Sequence, residues 1–81
     1  MTVYIMGPIT GMPDFNRRAF YFAEAMIRHL GHHPVNPHEV SQYHPDKTWR
    51  DYMRECIKAL VDCDAVYKLP GWWRSHGALL E

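Results

Sequence analysis

The chain has 81 residues and carries nine Lys or Arg against nine Asp or Glu, so its formal charge is zero; that argues against the overall basic surface on which nonspecific nucleic-acid binding depends, though a local cluster of Arg17, Arg18, Arg50, Arg54 and Arg74 stays open, and no direct DNA binding is expected. No apolar run approaches the ~20 residues of a membrane span, and the start lacks a basic segment leading into an apolar core, so residues 1–81 read as one soluble, cytoplasmic domain with no membrane partner. The two cysteines supply no disulfide framework, which points to reduced thiols and to self-association as the source of extra buried area in so small a chain.

Thr2 to Met6 is short, apolar and partly β-branched, and it meets Gly7-Pro8, the pattern of a buried central strand. Residues 7 to 14 are dense in turn formers, and Asp14 or Asn16 can cap a following helix. In that helix Phe15, Ala19, Phe22, Ala23, Met26, Ile27 and Leu30 recur on one face, away from Arg17, Arg18, Glu24 and Arg28. Gly31 stops it as a left-handed terminal residue. His32 to Val35 suits a second strand, and residues 36 to 47 read as a polar, irregular loop.

Thr48 with Asp51 forms a variant capping box. The helix behind it is expected to bury Trp49, Tyr52, Met53, Cys56, Ile57 and Leu60. Ala65 to Leu69 is a third strand ended by Pro70-Gly71, and Ser75 can cap a last helical start. The β-α-β-α-β order implies an α/β fold: a short parallel sheet of at least three strands, right-handed crossovers and helices on both faces.

The Gly-rich turn after the first strand aims backbone amides and the positive helix end at one spot, and Arg17 and Arg18 can add charge-assisted bonds to a phosphate. It matches neither the Walker A nor the dinucleotide pattern, and a purely structural turn that needs Gly explains it as well. The six histidines (His29, His32, His33, His38, His44 and His76) and the two cysteines lack zinc-site spacing, so no metal and no cofactor is expected. Cys56, on the apolar helix face, reads as a buried thiol rather than a nucleophile. Glu81 opens a helix at the ligand edge of the sheet, where a carboxylate serves as nucleophile or base; a solvated terminal carboxylate is the plainer reading. Tyr4 and Tyr67 suit core or site, and Trp72 and Trp73 suit either a subunit interface or stacking on a base.

The stretches YIMGPITGMPDFN (residues 4–16), GHHPVNP (31–37), TWRDYM (48–53), DCDAVYKLPGW (62–72) and SHGALLE (75–81), in that order, resemble a small phage and prophage family. That family is similar to nucleoside 2-deoxyribosyltransferases and deoxynucleotide N-hydrolases. The resemblance implies a flavodoxin-like three-layer fold, a homodimer or larger assembly in the host cytoplasm, and chemistry at the N-glycosidic bond of a deoxynucleoside or its monophosphate. Glu81, four residues after Gly77, matches the catalytic nucleophile, and a carboxylate suits a sugar that develops oxocarbenium character. Tyr4, Gly7, Pro8, Ile9, Thr10, Gly11, Asp14, Asn16, Arg17, Trp72, Ser75 and Gly77 match the substrate-binding turns. The chain departs from the pattern at Cys56, where relatives carry a helical Asp, and at Glu81, beyond which relatives continue with a helix and a strand. The alternative is a catalytically inert pseudo-enzyme of the same fold that binds a nucleotide-like ligand or inhibits a host protein.

Overall fold

The computed structural model describes residues 1–9, 11–41 and 44–71. Strand β1 (Thr2–Met6) turns alternate side chains into two separate cores, as the period of a strand requires. Val3 and Ile5 pack with Phe20, Ala23 and Ile27 of helix α1 (Arg17–His29) and with Leu69. Tyr4 and Met6 pack on the opposite face with Cys56 of helix α3 (Trp49–Val61). One strand is thus buried from both sides, which is why it reads as a continuous apolar run.

Strands β2 (His33–Val35) and β3 (Ala65–Lys68) both run parallel to β1, in the order β2-β1-β3. The register sets Tyr4 opposite Val35 and Val66. Backbone and carboxylate of Asp64 both bind Thr2: Asp64 N donates to Thr2 O at 2.8 Å, and Thr2 N donates to Asp64 Oδ2 at 2.9 Å. This double clamp fixes where β3 enters the sheet. With α1 on one face and α3 on the other, the arrangement is α/β, three-layered and flavodoxin-like. No helix among the described residues is long and apolar enough to cross a membrane.

Gly31 ends α1 with φ at +88°, and His32 N reaches Ile27 O while Gly31 N reaches Arg28 O. These two bonds form a Schellman motif that satisfies the last carbonyls of the helix. The capping box also forms: Asp51 N donates to Thr48 Oγ1 at 3.2 Å, and Thr48 N donates to Asp51 Oδ2 at 2.9 Å.

Three expectations need correction. The buried stripe of α1 runs through Phe20, Ala23 and Ile27, whereas Phe15, Phe22 and Leu30 are exposed. The helix begins only at Arg17, and of two neighbouring apolar stripes the one containing Phe20 faces the sheet. Residues 36 to 47 are not wholly irregular, since Pro37–Val40 form a one-turn helix, α2. Asn36 caps it with Oδ1 accepting from His38 N at 3.0 Å, and Pro37 takes the first helical position, where a missing N–H costs nothing. In α3, Met53 and Cys56 are buried, but Trp49 is 51% exposed.

Candidate functional site

The sheet's carboxyl rim carries the turns that follow β1, β2 and β3. At the end of β1, Leu69 N donates to Met6 O at 2.7 Å, which draws the ends of β1 and β3 together. Gly7 and Pro8 are buried there. A Cβ on Gly7 would lie 2.8 Å from Leu69 Cβ, so the position needs glycine for space. The chain then turns: Met12 N donates to Ile9 O at 3.2 Å, with Gly11 at φ +81°.

A 3-10 turn over Pro13–Asn16 follows, and Asp14, Phe15 and Asn16 are all left-handed, at φ 49°, 55° and 57°. Asn16 holds the N-cap position of α1, yet its side chain makes no capping bond. The expectation that Asp14 or Asn16 caps the helix is therefore corrected. A left-handed cap residue aims its side chain away from the amides it would otherwise accept from. Among the described residues no side chain caps the first turn of α1, whose positive dipole end faces the rim. Arg17 stands at that start, 3.8 Å from the Asp14 carboxylate in an exposed ion pair.

The turn after β2 comes to the same place. Asn36, 2% exposed, anchors α2, and its Nδ2 donates to Glu24 Oε2 at 3.4 Å. Helix α2 lays the His38 ring edge-on to Phe20, with centroids 4.9 Å apart, and nearly parallel to Tyr21 at 6.4 Å. The Tyr21 hydroxyl donates to Glu39. His38 Nε2 is buried without a well-formed hydrogen bond to a described residue. Burial, and then the Arg17 cation, push His38 below the usual imidazole range, while the Phe15 carbonyl and the Asp14 and Glu39 carboxylates pull the other way. Burial thus favours the neutral imidazole of His38, beside the Arg17 end of α1.

Between α1 and the end of β3 lies a cleft of about 530 Å³, walled by Asn16, Arg18, Ala19, Phe22, Ala23, Tyr67, Leu69 and Pro70. Its lining is mostly apolar, with Asn16, Arg18 and Tyr67 as the polar side chains among its residues.

The expected substrate residues divide clearly. Gly7, Pro8, Ile9, Gly11, Asp14, Asn16 and Arg17 lie along one continuous turn at the rim. Tyr4 does not join them: it is fully buried on the α3 side, packed with Met6 and Cys56, and its side chain belongs to the core. Thr10, Trp72, Ser75, Gly77 and Glu81 lie outside the described residues. His38 went unrecognised in the sequence because a histidine between Pro37 and Glu39 looks like loop polarity. The available signal was Asn36-Pro37, a helix-start pair directly after a strand.

Cys56 is buried and Cys63 half-buried, and the two form no disulfide. Cys63 Sγ donates to Ala59 O at 3.3 Å, and burial, Asp62 and Asp64 raise its pKa, which disfavours a thiolate. Among the described residues no group of three or more His, Cys, Asp or Glu is placed to hold a metal ion.

A family model described as "Domain of unknown function (DUF4406)" matches residues 1–81. No curated protein and no solved structure matches the chain.

Proposed function

We propose that this chain, which belongs along its whole length to the DUF4406 family, binds a deoxynucleoside or deoxynucleotide and acts on its N-glycosidic bond. One observation supports this reading above the rest. The turns after β1 and β2 meet at the carboxyl rim, with an uncapped helix start, Arg17 and a neutral His38 brought together. An anionic group suits the helix start and Arg17. A neutral imidazole can exchange a hydrogen bond with a sugar hydroxyl or a base without bringing charge. The open α/β rim is where such folds take ligands.

In this reading Glu81 is the nucleophile, as the resemblance implies. Its carboxylate attacks the anomeric carbon, the C1′–N bond breaks, and the base leaves with the bonding electrons and takes up a proton. The sugar is held as an ester until water or a second base displaces the carboxylate. The resemblance assigns substrate contacts to Ser75, Gly77, Trp72 and Thr10 in the same reading. No cofactor is needed, and the setting is the cytoplasm, of a host cell if a phage encodes the chain. A homodimer would add buried area to a small core.

A specific observation favours a second reading, a binding protein without turnover. Cys56 stands where the similar enzymes carry an acid, and it is buried against Tyr4 and Met6, where it can supply no carboxylate. Such a protein would bind a nucleotide-like ligand or inhibit a host protein. Chromatographic measurement of free base, with Glu81→Ala as control, separates the two. Turnover above the control supports the enzyme; a nucleotide-dependent rise in melting temperature without turnover supports the inert binder.

A further inference from the structure

The two edges of the sheet are built differently. Its order is β2-β1-β3, so among the described residues β2 and β3 each have one side with no strand beside it. His33 N donates to Met1 O at 2.9 Å. Alternation along a parallel ladder then turns His33 and Val35 toward β1 and Pro34 outward. Pro34 has no N–H to offer, which blunts that edge against a further strand. On the other side Asp64 N donates to Thr2 O at 2.8 Å. The same alternation turns Val66 toward β1 and points the N–H and C=O of Ala65 and Tyr67 outward. No proline stands in β3 to blunt this edge.

Side chains sharpen the contrast. Val66 is 41% exposed and Tyr67 37%, and Tyr67 shares a cleft wall with Phe22 of α1, which is 74% exposed. Apolar residues along an open strand edge are a template for pairing. The stretch Asp64-Ala65-Val66-Tyr67-Lys68 is moreover its own complement, with an exposed acid two residues before Val66 and an exposed base two residues after it. Laid antiparallel on a second copy and centred on Val66, it sets Asp64 opposite the partner's Lys68, and Lys68 opposite the partner's Asp64. The same register sets Ala65 opposite the partner's Tyr67, and these are the residues whose backbone groups point outward. A slip of one residue loses both matches.

We propose that β3 pairs edge to edge with β3 of a second copy, antiparallel about a two-fold axis at Val66, so that one sheet runs through a homodimer. That axis keeps both α1 helices on one face, where Phe22 and Tyr67 of each copy line the seam. The two Val66 side chains meet on the α3 face. The interface does not depend on the nucleotide reading.

Sedimentation equilibrium of the native chain, Lys68→Glu and Tyr67→Pro tests the pairing, with circular dichroism to follow folding. The native chain should be a dimer. Lys68→Glu puts like charges opposite each other twice and should weaken dimerisation about tenfold or more. Tyr67→Pro removes an outward N–H, as Pro34 does in β2, and should give a folded monomer; should it not fold, the exposed Lys68→Glu decides alone. Val66→Cys should form an intermolecular disulfide on mild oxidation, because opposed residues at such a position lie about 4.5 Å apart. Arg54→Cys, exposed on α3, should not. A native chain that stays monomeric at every concentration overturns the proposal. So does a dimer that Lys68→Glu leaves unweakened, or equal cross-linking of Val66→Cys and Arg54→Cys, since either places the contact elsewhere. Base release by the native chain bears on the proposed function alone, so the two can fail separately.

Discussion

Leu69 Cβ stands 2.8 Å from the point where a Cβ on Gly7 would sit. The contact exists because Leu69 N is bound to Met6 O, which pins the chain after β3 against the chain after β1. The two turns that frame the rim are therefore spaced by a missing side chain.

Gly7→Ala should overpack this junction and cost about 1–3 kcal/mol in urea unfolding. Leu69→Ala alone should also destabilise, by loss of a buried side chain. The double variant should recover only part of the Gly7→Ala loss, because Leu69→Ala removes Cδ1 and Cγ, at 2.9 and 3.2 Å, but keeps the Cβ at 2.8 Å. Strict additivity would contradict the close approach.

Gly31→Ala should behave differently. Among the described residues, and apart from its chain neighbours, no atom lies within 4 Å of a Cβ at Gly31, and its φ of +88° opposes the change. The expected loss is about 1 kcal/mol, and no partner substitution should recover it. Thermal unfolding of the single variant measures it.

The start of α3 makes a prediction about acid. Thr48→Ala removes the hydroxyl that accepts from Asp51 N and should cost about 1 kcal/mol. The Thr48 backbone N–H, and then its hydroxyl, hold the Asp51 carboxyl below its usual range. A depressed carboxylate stabilises the fold above its unfolded pKa, and that contribution is lost as pH falls through the folded value. Stability against pH for Asp51→Asn should therefore fall less between pH 5 and pH 2, about the window of carboxylate titration, than it does for the native chain. Parallel curves would contradict the capping box.

His38 should titrate below the ordinary imidazole value in an NMR pH series, and Arg17→Ala should move its midpoint upward by removing a nearby cation. Because the folded value is the lower one, the unfolded chain takes the proton first. The stability that neutral His38 gives is present above the unfolded value, about 6.5, and is lost as pH falls below it. A midpoint at or above that of an unstructured histidine would contradict the packing of His38 against Phe20.

Much of this architecture is written locally in the chain. Gly31 after an amphipathic run, and Thr48 three residues before Asp51, fix helix ends through backbone bonds that depend on nearby residues alone. The alternation of β1 between two cores follows from its apolar run between turn formers. What stayed hidden depends on distant partners. Periodicity cannot choose between the Phe22 and Phe20 stripes of α1, because both recur at helical spacing and only the sheet decides. The left-handed run from Asp14 to Asn16 has no glycine to mark it. His38 becomes distinctive only when α1 brings Phe20, Tyr21 and Arg17 to it.

We propose one nucleotide site, built from the turns after β1 and β2. Amide NMR spectra of the native chain, titrated with each deoxynucleoside monophosphate, test it most directly. The account predicts saturable shifts concentrated at Gly7, Gly11, Arg17 and His38. Spectra unchanged by every nucleotide, or shifts confined to the far end of the sheet around Thr2, His33 and Asp64, would contradict it.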